Sequence, residues 1–144
     1  MNEIITENSE DTKKLGKELA KKLKGGEIIC LKGNLGSGKT TFSQGILEEL
    51  GAEKPYTSPT FLIMKAYQLN KKKIKNVYHI DTYRVGSEDI LDLGWEEITE
   101  NKVNVIIVEW PERIKEIIPE GFLDIKFEWI NKDKRRIIFS ENIV

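Results

Sequence analysis

The run Gly33-Asn34-Leu35-Gly36-Ser37-Gly38-Lys39-Thr40 constrains this chain more than any other stretch, because it fits G-x-x-x-x-G-K-[ST]. The pattern carries meaning only between a strand and a helix, and its flanks supply both. Ile28-Ile29-Cys30-Leu31 before it reads as a buried strand, and Thr40 to Leu50 after it as a helix. Successive backbone N–H groups of such a loop converge on phosphate oxygens, and the helix N-terminus adds partial positive charge. Gly36 and Gly38 supply backbone angles closed to other residues and leave room for phosphates. Lys39 is expected to reach the β- and γ-phosphates, and the Thr40 hydroxyl to ligate Mg²⁺. The chain is therefore expected to bind a nucleoside triphosphate.

Further elements are read around that loop. Ser9-Glu10-Asp11-Thr12 carries capping chemistry for a first helix. Leu15, Leu19 and Leu23 recur along it, and Gly25-Gly26 marks its end. In the helix after the loop, Phe42, Ile46, Leu47 and Leu50 form the buried face and Gly51 terminates it. Pro55 and Pro59 keep 54–60 out of a helix. Phe61 to Leu69 and Val77 to Tyr83 read as a hairpin around a lysine-rich turn. Gly86 to Thr99 reads as one or two short helices broken at Gly94. Val105 to Val108 reads as a strand covered on both faces, and Glu112 to Ile118 as a short helix between prolines. Leu123 to Ile130 and Arg136 to Ser140 read as a second hairpin. This order predicts an α/β fold: a three-layer P-loop NTPase sandwich with a mixed sheet, one domain over residues 1–144.

Charge narrows the partners. With 23 basic and 24 acidic residues the net charge is −1, so bulk charge does not draw the chain to nucleic acid or membrane. The single Cys30 reads as a small core residue in a reduced compartment. No apolar run is long enough to span a membrane and no signal-peptide core opens the chain, so a cytoplasmic location is expected.

A phosphate loop needs an acidic partner for Mg²⁺ at the end of a neighbouring buried strand. Glu109, after Val105-Ile106-Ile107-Val108, is the stronger candidate, and Asp81, after Val77-Tyr78-His79-Ile80, is the other. One would hold the metal and the other orient the attacking water or a metal-bound water. Strand alternation puts His79, Asp81 and Tyr83 on one face, where His79 could hydrogen-bond Asp81 in a structural or supporting role. Tyr56-Thr57-Ser58-Pro59-Thr60 occupies the place of a nucleotide-switch segment or an ordinary polar turn. Trp110 either shields the site, packs on a partner or belongs to the core. The basic runs 71–75 and 132–136 read as solvated hairpin tips.

Taken together, these residues resemble the TsaE (YjeE) family, small ATPases of bacterial tRNA threonylcarbamoyladenosine synthesis. The resemblance rests on Gly33 to Thr41, Ser58-Pro59-Thr60-Phe61, His79-Ile80-Asp81-Thr82-Tyr83-Arg84 and Ile107-Val108-Glu109-Trp110-Pro111-Glu112-Arg113. Ser9-Glu10-Asp11-Thr12 with Leu15-Gly16 also fits. The two latter long strings are specific, whereas the phosphate loop alone is generic. The resemblance implies a cytoplasmic ATPase working with a TsaB–TsaD pair, which itself installs the threonylcarbamoyl group, so tRNA is met through the complex. It implies that Gly36, Ser37, Gly38, Lys39, Thr40 and Thr41 bind ATP and that Thr40 and Glu109 ligate Mg²⁺. It places Asp81 near the γ-phosphate, Trp110 beside the site and Thr12 near the nucleoside. Lys39, Asp81 and Glu109 are the expected catalytic residues.

Three alternatives share the loop. A small-molecule kinase would carry an arginine-bearing lid, but the arginines are only Arg84, Arg113, Arg135 and Arg136. A GTPase would carry Asp-x-x-Gly and Asn-Lys-x-Asp, and Asn131-Lys132-Asp133-Lys134 has Lys where the second aspartate belongs. A nucleotide-gated assembly module with negligible turnover is the non-enzymatic alternative.

Overall fold

The computed structural model describes residues 2–57, 62–70 and 73–140. In chain order the elements are β1 (Asn2–Thr6), α1 (Ser9–Ala20), β2 (Ile28–Lys32), α2 (Lys39–Leu50), β3 (Met64–Gln68) and β4 (Asn76–Asp81). They continue as α3 (Ser87–Leu91), α4 (Trp95–Glu100), β5 (Asn104–Glu109), β6 (Leu123–Trp129) and β7 (Arg135–Phe139). The strands form one sheet in the order β1-β7-β6-β2-β5-β4-β3. β6, β2, β5 and β4 are parallel neighbours, and β7 and β3 run antiparallel to them; the edge strand β1, antiparallel to β7, runs in the direction of the central four. The expected α/β fold with a mixed sheet is thus the observed one.

Strand alternation sorts the core into two layers. Ile29 and Leu31 of β2, with Val105 and Ile107 of β5, pack under Leu15 and Leu19 of α1 and Phe42, Ile46 and Leu47 of α2. Ile28 and Cys30, with Ile106 and Val108, face the other way onto Ile90, Trp95 and Ile114. Every residue of β5 is buried, as its unbroken apolar run predicts.

α1 and α2 touch backbone to backbone. A Cβ on Gly16 would lie 2.2 Å from the Phe42 carbonyl oxygen, and one on Gly45 would lie 2.1 Å from that of Lys13. Only glycine permits that approach. Lys13 and Lys17 reach across the crossing to Glu48, at 2.8 and 3.0 Å.

Several boundaries differ from the sequence expectation. Asn8, rather than Ser9 to Thr12, caps α1 by accepting from the Asp11 N–H at 2.9 Å. α1 stops at Ala20, because Lys22 and Leu23 donate to Leu19 and Ala20 in tighter i→i+3 bonds. Leu23 still packs on the core. The expected helix at 112–118 is two 3₁₀ turns, Pro111–Arg113 and Lys115–Ile117; Pro119 holds Ile118 extended and cuts the run short. β3 starts at Met64, after Ile63 with φ 65°, and β4 ends at Asp81, so Tyr83 leaves the strand. β1, absent from the sequence reading, pairs Asn2 to Thr6 with β7. Ser58-Pro59-Thr60-Phe61 and Lys71-Lys72 lie outside the described residues.

Candidate functional site

The loop joins the central strand β2 to α2, at the C-terminal ends of the parallel strands. Gly36 has φ 76° and Gly38 φ 106°, both in the region glycine favours. Gly38 is the residue before α2, and no side chain caps that helix; its first turn holds no acidic residue. The first N–H groups of α2 are therefore open to an outside acceptor, an arrangement suited to phosphate. Thr40 is exposed on that first turn, and Thr41 is half-buried. The Ser37 hydroxyl is buried under the loop, with no hydrogen-bond partner among the described residues.

Lys39 is buried despite its charge. Its Nζ donates to the Gly33 carbonyl at 2.6 Å and lies 4.2 Å from the centre of the Trp110 ring. Burial pulls its pKa below the usual lysine value, while the negative charges of Glu109, Asp81 and Glu112 oppose that pull.

The two carboxylates arrive from adjacent strands. β4 and β5 are parallel with Asp81 opposite Glu109, so both stand at the strand ends facing the loop. Both are buried, at 7% and 5% exposure. They line one cleft together with Gly36, Gly38, Lys39, Thr40, Thr41 and Trp110. Thr12 borders it from α1: its methyl would lie 3.5 Å from a Cβ on Gly38, and its hydroxyl is 2.7 Å from that of Thr6.

The histidine expectation needs correction. His79 Nε2 lies 2.7 Å from Glu109 Oε2, not against Asp81. The i, i+2 neighbour on one strand and the diagonal neighbour on the next strand both stand about 7 Å away, so the longer glutamate side chain reaches the imidazole where the shorter aspartate does not. His79 pairs with Ile107 in register, so Glu109 is that diagonal neighbour. An Asp81 oxygen instead accepts from the Tyr83 N–H at 2.9 Å. His79 Nδ1 is buried without a partner among the described residues. A proton on Nε2, facing the carboxylate, is the tautomer this geometry requires.

Trp110 caps the site in a left-handed conformation, φ 60° and ψ 48°. Thr82 fixes this bend: its hydroxyl, 2.5 Å from the Trp110 carbonyl and 3.0 Å from that of Glu109, shares its one proton between them, and its N–H donates to Glu109. Tyr83 packs on the Trp110 ring with centroids 4.9 Å apart, and Arg113 lies over Tyr83.

Arg135, placed by the sequence reading in a solvated turn, also lines the cleft. Its Nε donates to the Gly36 carbonyl at 3.1 Å. Only the sheet order, which folds β7 back beside β6, brings it there; a lysine-rich turn in the sequence carries no sign of it. Thr57 in the suggested switch segment accepts from Lys65 Nζ at 2.9 Å.

The donors present suit Mg²⁺. Among the described residues no cluster of three or more His, Cys, Asp or Glu side chains could hold a metal by itself. Mg²⁺ with a nucleotide takes one or two carboxylates and completes its shell with phosphates and water, which the Thr40 hydroxyl and the pair Asp81 and Glu109 allow. No helix among the described residues is long and apolar enough to cross a membrane.

Comparison with known proteins gives a consistent result. A family model described as threonylcarbamoyl adenosine biosynthesis protein TsaE matches residues 6–137. A curated protein of Bacillus subtilis, named tRNA threonylcarbamoyladenosine biosynthesis protein TsaE, is 38% identical over 94% of this chain and 82% of its own. One of the same name from Aquifex aeolicus is 38% identical over 95% of this chain and 94% of its own. The crystal structure of Bacillus subtilis YdiB superimposes with a TM-score of 0.79 and 34% identity, covering 96% of this chain and 83% of that one.

Proposed function

Since the chain belongs to the TsaE family of tRNA threonylcarbamoyladenosine biosynthesis, we propose that it is the ATP-binding and ATP-hydrolysing member of that system. It couples turnover to a TsaB–TsaD type pair in the cytoplasm and does not itself transfer the threonylcarbamoyl group. One observation carries this reading: an uncapped helix N-terminus with a buried lysine faces two strand-end carboxylates held in register. That set matches what phosphoryl transfer to water demands, namely phosphate grip, metal ligation and water orientation.

In this reading the N–H groups of residues 36–41 and Lys39 hold the triphosphate. Thr40 and Glu109 are the residues that would hold Mg²⁺, which when bound would neutralise phosphate charge. His79 holds one Glu109 oxygen, which leaves the other as the oxygen that would serve a metal. Asp81, held by the Tyr83 N–H, orients the attacking water. Trp110 limits water around Lys39 and the γ-phosphate.

The test is ATP turnover by the whole chain with and without the two companion proteins. Slow turnover alone and faster turnover in their presence is expected. Binding of ATP with no change of rate on adding them, and no complex formed, would overturn the coupling.

A further inference from the structure

Building on the nucleotide-binding reading above, we propose that Arg135 is an anion-binding residue of the same cleft, placed to hold the α-phosphate of a nucleoside di- or triphosphate. Arg135 and its neighbour Arg136 differ in one decisive respect. Arg136 is spent on carboxylates: Nε is 3.0 Å from Glu3 and Nη1 3.3 Å from Glu128. Arg135 makes no ion pair among the described residues. Its partners are three neutral carbonyls: Nε donates to Gly36, and Nη1 to Asn131 at 2.6 Å and to Lys134 at 2.9 Å. Such bonds fix the plane of a guanidinium and leave its charge uncompensated. A fixed, uncompensated guanidinium on the wall of an anion-binding loop is a ready phosphate ligand.

Its position selects which phosphate. In the sheet, β2 stands between β6 and β5. Asp81 and Glu109 lie on the β5–β4 side and mark the γ-phosphate end. Arg135 heads β7, two strands away on the opposite side. Its Cγ and the Thr12 methyl would each lie 3.5 Å from a Cβ on Gly38, so the two side chains flank the start of α2 together. A triphosphate laid along the loop with its γ end at the carboxylates brings its α end to Arg135.

The experiment measures equilibrium binding of ADP and of ATP, at two salt concentrations, to the full chain and to Arg135→Gln, Arg135→Lys and Arg136→Gln. Arg135→Gln is expected to weaken both nucleotides by the same factor, about tenfold or more, with a smaller salt dependence. Arg135→Lys keeps the charge and should recover much of that loss, and Arg136→Gln should bind as the native chain does. A purely structural pin would make the lysine and glutamine variants equally weak, and that result overturns the proposal. So does unchanged binding by Arg135→Gln, or a loss confined to ATP. If the native chain binds neither nucleotide, the nucleotide reading itself fails, a result separate from native binding with an indifferent Arg135.

Discussion

At Glu109 one carboxylate oxygen is committed to His79, and the residue is almost fully buried. Replacing His79 by leucine strands that oxygen away from water, at a cost of about 2–3 kcal/mol. Glutamine can restore the donor. His79→Leu should therefore lower the melting temperature and raise the Mg²⁺ needed for turnover, with His79→Gln restoring most of both; equal behaviour of the two variants would show that the bond has no role. Cys30 is fully buried, and burial first, then the charge of Asp124, pushes its thiol up to about 12. The native chain should leave a thiol reagent unreacted at pH 8 and consume one equivalent once unfolded. What was legible at this scale follows locality. Lys39, Thr40 and the two strand-end carboxylates announce themselves by spacing along the chain. The partner of His79 and the reach of Arg135 depend on which strand lies beside which, and no local pattern encodes that.

Among the elements, α2 is the one that carries the loop, and α1 is its main support. Gly16→Ala or Gly45→Ala would force a methyl group into a carbonyl oxygen of the facing helix. Each should destabilise the fold by about 1–3 kcal/mol in denaturant unfolding; an unaffected midpoint would mean that the crossing relaxes freely. Across the same contact, Lys13 and Lys17 lower the Glu48 carboxyl from 4.5 to about 2. A depressed carboxylate stabilises the fold above its ordinary pKa, and this contribution drains as pH falls from 4.5 through 2. Glu48→Gln should be less stable than the native chain at pH 6, with the gap closing across that window. Long periodic elements such as α1 and α2 were legible from apolar spacing. β1 was not: only five residues long, it owes its strand state to pairing with β7.

For the whole molecule, binding and folding are linked. ATP with Mg²⁺ at a hundred times its Kd should stabilise the chain by about 2.7 kcal/mol, seen as a rise in melting temperature, and Lys39→Ala should abolish the rise. If the variant shifts as the native chain does, the phosphate grip lies elsewhere. The layered order of helices about a mixed sheet was legible because strand and helix signals alternate around the loop; the edge order β1-β7-β6 was not, since antiparallel returns leave no distinct trace in composition. The glycine crossing has a mechanical consequence as well. Where α1 and α2 meet at Gly16 and Gly45 no side chain lies between them, so no rotamer change can let one slide on the other. The pair is expected to move as a single strut, which ties the first turn of α2, with Lys39 and Thr40, to α1. Amide protons along both helices should exchange with solvent as one cooperative unit.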